Sequence, residues 1–204
     1  MALICLQGGN ELSDGCRTMD ALLLAAAGGG PVAVLPLASS PGRDHDTTAA
    51  NAVAYYTGLG ASAVTVGEPF DDAALVVLTG GSPARLREAL VGTPVGEALA
   101  RIAAREDRVI SGARAGAMLL CAHTVLPENG LRTATGLGLV GDFAVVPHYG
   151  APRPEWEDPL LAHGVDVLGI PECSGVLLDG EQVVAVGATA PTLVTREGRE
   201  LLAL

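Results

Sequence analysis

Along the chain, short apolar runs alternate with longer stretches whose apolar residues recur at i, i+3 and i+4. The runs Ala2-Leu6, Val32-Leu35, Ala63-Val66, Ala74-Leu78 and Val109-Ser111 each end near Gly, Pro or a small polar residue and predict strands. Between them the spacing predicts helices over Arg17-Ala27, Thr47-Gly58, Ala84-Leu90, Val95-Arg105 and Ala115-Ala122, with Thr47 and Thr48 after Asp46 as a helix start. Such alternation builds a mostly parallel sheet with helices on both faces, because parallel neighbours need a crossover between them. Beyond Val140 the pattern changes to short strands. Val176-Leu178 and Val183-Val186 flank Asp179-Gly180, a strong hairpin signal, and Thr192-Thr195 adds another strand. The expectation is an α/β three-layer sandwich with an antiparallel C-terminal hairpin, forming a single domain over residues 1–204 without internal repeat or linker.

Composition sharpens this picture. Of the 204 residues, 49% are hydrophobic and 17% charged, so the chain has apolar surface to bury and does not read as disordered. The most apolar stretch, Ala21 to Ala38, is broken by Gly28, Gly29, Gly30 and Pro31 and cannot run as a membrane-spanning helix. The N-terminus has no basic region and passes from Leu3-Leu6 into Gly8-Gly9, a strand and its turn rather than a signal peptide, so a cytoplasmic location is the default. The net charge of −11 argues against nucleic acid or an anionic membrane as partner. All twelve basic residues are Arg, a bias that suggests a high-G+C bacterial genome. The four cysteines form no CxxC pair, so zinc and structural disulfides are not expected, and buried reduced thiols are. Asp44-His45-Asp46 has no further metal ligands nearby and reads as a solvated loop and helix cap.

The informative segment runs from Val109 to Leu120. An apolar strand enters a turn made almost wholly of Gly and Ala, then an apolar helix, which is the layout of a nucleophile elbow. The central residue of such an elbow is Ser or Cys in a working hydrolase; here it is Arg114.

Six segments in order resemble peptidase family S51, the cyanophycinases and aspartyl dipeptidases on the class I glutamine amidotransferase-like, flavodoxin-like fold. They are Leu6-Gln7-Gly8-Gly9-Asn10-Glu11, Val34-Leu35-Pro36-Leu37-Ala38-Ser39, Leu78-Thr79-Gly80-Gly81-Ser82 with Arg85-Leu86, Gly112 to Ala117, Pro147-His148-Tyr149 and Gly169-Ile170-Pro171-Glu172. The resemblance implies a Ser-His-acid triad. By position it places the nucleophile at Arg114, the base at His148 and the acid at Glu172, with the backbone N–H groups of Gly81 and Ala115 as oxyanion donors. Arg114 departs from the family's serine, Pro83 from its glutamine, and Val146 from the acid expected two residues before the histidine; the family's arginine cluster is reduced to Arg153.

A guanidinium stays protonated and cannot attack a carbonyl, so the family mechanism should be absent. A cation at a helix N-terminus needs an anionic partner, and Glu172, Glu11 or a bound carboxylate or phosphate could provide it. The ligand-binding candidates are Gly9, Glu11, Gly80, Ser82, Tyr149 and Arg153. Trp156 joins Tyr149 and Arg153 either in a pocket near His148 or in a packed loop. Cys173 is read as a small buried thiol rather than a displaced nucleophile, and Ser111 as pointing along its strand. Two classes of function result. One is an inactive homologue that binds a small anionic ligand or an acidic peptide. The other is a hydrolase acting on Asp-containing dipeptides or cyanophycin-like substrates through water or a non-family nucleophile. No cofactor or metal is implied, and a homodimer is compatible with either class.

Overall fold

The computed structural model describes residues 1–128, 130–180 and 182–204. In chain order the first half runs β1 (Leu3–Gln7), a short 3-10 turn (Asp14–Cys16), α1 (Arg17–Ala26), β2 (Val32–Leu35), α2 (Arg43–Leu59), β3 (Val64–Val66), β4 (Leu75–Leu78), α3 (Pro83–Leu90), α4 (Pro94–Ala103), β5 (Val109–Ala113) and α5 (Ala115–Leu120). The second half comprises β6 (His123–Leu126), β7 (Arg132–Thr135), β8 (Phe143–Pro147), α6 (Pro154–Ala162), β9 (Asp166–Ile170), β10 (Ser174–Asp179), β11 (Gln182–Gly187), β12 (Thr192–Val194) and β13 (Arg199–Leu201).

The main sheet has the order β11-β10-β1-β5-β4-β2-β3. Its pairings from β1 to β3 are parallel, and β10 and β11 add to β1 as an antiparallel hairpin. Every residue of β2 and β4 is buried because both faces are covered. On one face Val32, Val34, Leu75 and Val77 pack with Leu23 of α1 and Tyr56 of α2. On the other, Ala33, Leu35, Val76 and Leu78 pack with Leu86 of α3, Leu99 of α4 and Met118 of α5. The expected α/β layering with a C-terminal hairpin is what forms.

Several boundaries differ from the sequence expectation. Helix α2 begins at Arg43, so Asp44 and Asp46 lie in its first turn, where acidic side chains favour the helix dipole, and not in a loop. The region beyond Val140 is more than a set of hairpins. Strands β8 and β9 pair in parallel, joined through α6, in a second sheet ordered β13-β12-β9-β8. The pattern hid α6 because it carries Pro159 internally and buries the charged Glu157. Glu157 accepts from Tyr149 Oη (2.8 Å) and Arg153 N (2.6 Å) and pairs with Arg199, which offsets the loss of solvation. The Asp179-Gly180 hairpin forms with Asp179 itself paired opposite Gln182. Among the described residues no helix is long and apolar enough to cross a membrane, and no group of three or more His, Cys, Asp or Glu could hold a metal ion.

Candidate functional site

The chain leaves β1 toward α1 on one face of the sheet and β5 toward α5 on the other, so the loops at their carboxyl ends diverge and leave a crevice. The turn after β5 fills this crevice. Arg114 has φ 50° and ψ −112°, a conformation that costs an L residue about 1–3 kcal/mol. It is held there by its N–H, which donates to Gln7 O (3.0 Å), and by its carbonyl, which accepts from Met118 N (2.9 Å). The surrounding small residues are sterically required. A Cβ at Gly116 would lie 2.4 Å from Leu78 O, and one at Gly112 2.6 Å from the Gly116 carbonyl carbon.

The Arg114 side chain runs past Gly9 and lies across Gly80. A Cβ at Gly9 would meet Arg114 Cγ at 3.1 Å, and one at Gly80 would meet Arg114 Nε at 2.1 Å. The guanidinium ends on Glu11, donating from Nε (3.1 Å) and Nη2 (2.6 Å) to the same oxygen, Oε1. That oxygen also accepts from Gly80 N at 2.9 Å. The pair is asymmetrically buried: Glu11 is 8% exposed and Arg114 39%. Of the partners the sequence offered, Glu11 takes Arg114, and the crossing point is the Gly80 amide.

Glu172 is engaged elsewhere. His148, at φ 52° just after β8, donates from Nδ1 to Glu172 Oε1 at 2.9 Å. A carboxylate only accepts, so Nδ1 carries the hydrogen and Nε2 is the acceptor nitrogen of the neutral ring. The imidazole also lies against Gly9, where a Cβ would meet His148 Cε1 at 2.6 Å, which sets it beside Arg114. Backbone contacts fix the convergence of loops: His148 N donates to Gly8 O (2.9 Å) and Cys173 N to Gly9 O (3.0 Å). Positions 114, 148 and 172 thus meet around the β1 turn.

The other candidates divide. Tyr149 lies over Gly169, where a Cβ would fall 2.5 Å from its ring, and its hydroxyl is spent on Glu157. It still walls a cleft of about 490 Å³ with Pro171, Thr189 and Arg199. Arg153 stacks on Trp156 at 4.5 Å and donates to Pro147 O, so these two pack a loop. Ser82 caps α3, accepting from Arg85 N (3.2 Å), and donates to Glu128 (2.5 Å). Gly81 has φ 145° and sits on the Ala38 carbonyl, and Ala115 opens α5. Ser111 lies beneath the turn and accepts from Gln7 Nε2 at 2.9 Å.

Two features escaped the sequence. Thr48, Asn51 and Tyr55 on one face of α2 join Glu11, Leu12 and Arg114 around a cleft of about 500 Å³. Below it, the buried Asp20 accepts from Gln7 Nε2 (2.7 Å) and Tyr55 Oη (2.8 Å). Burial pushes its carboxyl from 3.8 up to about 6, against the lowering effect of these two bonds and with Glu11 nearby adding to the rise. The signal in the sequence was an Asp set among the apolar residues Met19, Leu23 and Leu24 of α1.

The sequence model of Peptidase family S51 matches residues 6–187, and the chain belongs to that family. No curated protein matches it in sequence. Among solved structures, a peptidase from an acI-B1 Actinobacterium superposes with a TM-score of 0.79 at 17% identity, covering 100% of this chain and 94% of the other. A protein of Listeria monocytogenes EGD-e proposed to be a peptidase E gives a TM-score of 0.63 at 17% identity, covering 93% of this chain and 100% of its own. At that identity the likeness is one of fold, the flavodoxin-like α/β class.

Proposed function

We propose that this chain is an S51 homologue without serine-peptidase activity, which binds a small acidic ligand in the cleft beside Arg114. The reading rests on one observation: the elbow residue is a guanidinium held by Glu11, across the Gly80 amide. A group that stays protonated has no lone pair to give a carbonyl, so no acyl-enzyme can form there. Glu11 engages Nε and Nη2, and Nη1 has no hydrogen-bond partner among the described residues. With Thr48 and Asn51 lining the same cleft, that free edge suits a carboxylate such as the side chain of an acidic dipeptide.

An alternative reading keeps hydrolysis. The His148–Glu172 pair, with Nε2 as the acceptor nitrogen, has the arrangement of a general base and its orienting acid, and water could serve as nucleophile on Asp-containing dipeptides or cyanophycin-like substrates.

Assays on Asp-X dipeptides separate the two. The binding reading expects no turnover by the wild type, measurable turnover by Arg114→Ser, and calorimetric binding of acidic dipeptides that weakens at least tenfold in Arg114→Gln, the loss of a charge-assisted hydrogen bond. Wild-type turnover that disappears in His148→Ala establishes the alternative. Absence of both turnover and binding overturns both.

A further inference from the structure

Two of the four cysteines, 157 positions apart in sequence, converge beside the site. Cys16 ends the 3-10 turn and is fully buried, whereas Cys173, directly after Glu172, is partly exposed and not the buried thiol that the sequence suggested. Ser13 Oγ lies 3.8 Å from both sulfurs. Asn10 also touches both, its carbonyl accepting from Cys16 Sγ (3.2 Å) and its side-chain amide donating to Cys173 Sγ (3.4 Å). Cys173 sits at φ 51°, which turns its side chain onto the β1 loop, and Gly15 makes room for it: a Cβ there would stand 2.6 Å from Cys173 Sγ. Burial, followed by contact with the Cys173 thiol, pushes the Cys16 thiol up to about 12. Burial raises Cys5 and Cys121 further still and leaves them closed to solvent.

We infer that Cys173 and Cys16 are a peroxide-reactive dithiol, in which the accessible Cys173 is oxidised first and the buried Cys16 resolves it to an intramolecular disulfide. In the first step the Cys173 thiolate attacks a peroxide oxygen, the O–O bond breaks, hydroxide leaves and Cys173 becomes a sulfenic acid. In the second, Cys16 Sγ attacks that sulfur, the S–OH bond breaks and water leaves, with the Cys16 proton going to the departing hydroxide. Overall two thiols are oxidised to one disulfide and one hydrogen peroxide is reduced to two waters. Exposure decides the order, because only Cys173 can be reached by a dissolved oxidant. The bond would tie the loop carrying Glu11 to the segment carrying Glu172, so oxidation would fix the partners of Arg114 and His148 relative to each other. This inference does not depend on the proposed function.

The test uses the intact reduced protein, treated with hydrogen peroxide, denatured and alkylated. Free thiols should fall from four to two and return to four with dithiothreitol. Trypsin digestion without reductant should join the peptide spanning 1–17, which holds Cys5 and Cys16, to the peptide spanning 133–196, which holds Cys173. Fragmentation of the joined wild-type peptide should place the bridge at Cys16, a result that needs no variant to fold; Cys16→Ser should abolish it. Cys173 recovered as sulfinic or sulfonic acid with Cys16 alkylated overturns the inference. So does a bridge at Cys5, or a disulfide between two chains on a non-reducing gel.

Discussion

Glu11 Oε1 gathers three donors, from Gly80 N, Arg114 Nε and Arg114 Nη2, and so couples the β1 loop, the β4 loop and the elbow through one atom. Removing it would leave a guanidinium without its counter-charge over a backbone amide. Glu11→Ala should lower the unfolding free energy by about 1–3 kcal/mol in urea titration, toward the small end because Arg114 is 39% exposed and partly screened. The sequence placed Arg114 at the elbow because small residues flank it on both sides. It could name Glu11 and Glu172 as partners, but not choose between them. The choice comes from the path of the side chain over Gly9 and Gly80, and from His148 already holding Glu172.

At the scale of elements, α5 is the decisive piece. All six of its residues are buried, and it approaches β4 so closely that Gly116 rests on the Leu78 carbonyl. Gly116→Val should lose at least about 1–3 kcal/mol in the same titration, because the clash is with backbone that cannot rotate aside. The strand, turn and helix here were legible from the sequence, since their apolar and small residues act within a few positions of one another. Helix α6 was not. It seats a carboxylate, Glu157, in the interior, and a pattern that sorts charges to the surface cannot anticipate Tyr149, Arg153 and Arg199 arriving to neutralise it. The parallel β8–β9 pair went unread with it, because its crossover helix was missing from the pattern.

For the whole molecule, the buried Asp20 links the β1 strand, α2 and the floor of the elbow. Its folded-state carboxyl titrates near 6 against an ordinary 3.8, so the native state holds this proton more tightly than the unfolded chain does. Its contribution to stability is present below pH 4 and is lost as pH rises through 6, to the extent of about 3 kcal/mol. Unfolding free energies measured from pH 4 to 7 should carry this downward component, and Asp20→Asn should remove it. What the sequence determined by itself was the series of strands and helices from β1 to α5, the small-residue elbow and a cation at its centre, because each follows from periodicity or steric need within a single turn. Tertiary structure decided which carboxylate holds that cation, which charge lies buried under α6, and that Cys16 meets Cys173. Each of those outcomes depends on the register of strands and loops far apart in the chain, and a local pattern carries no record of that register.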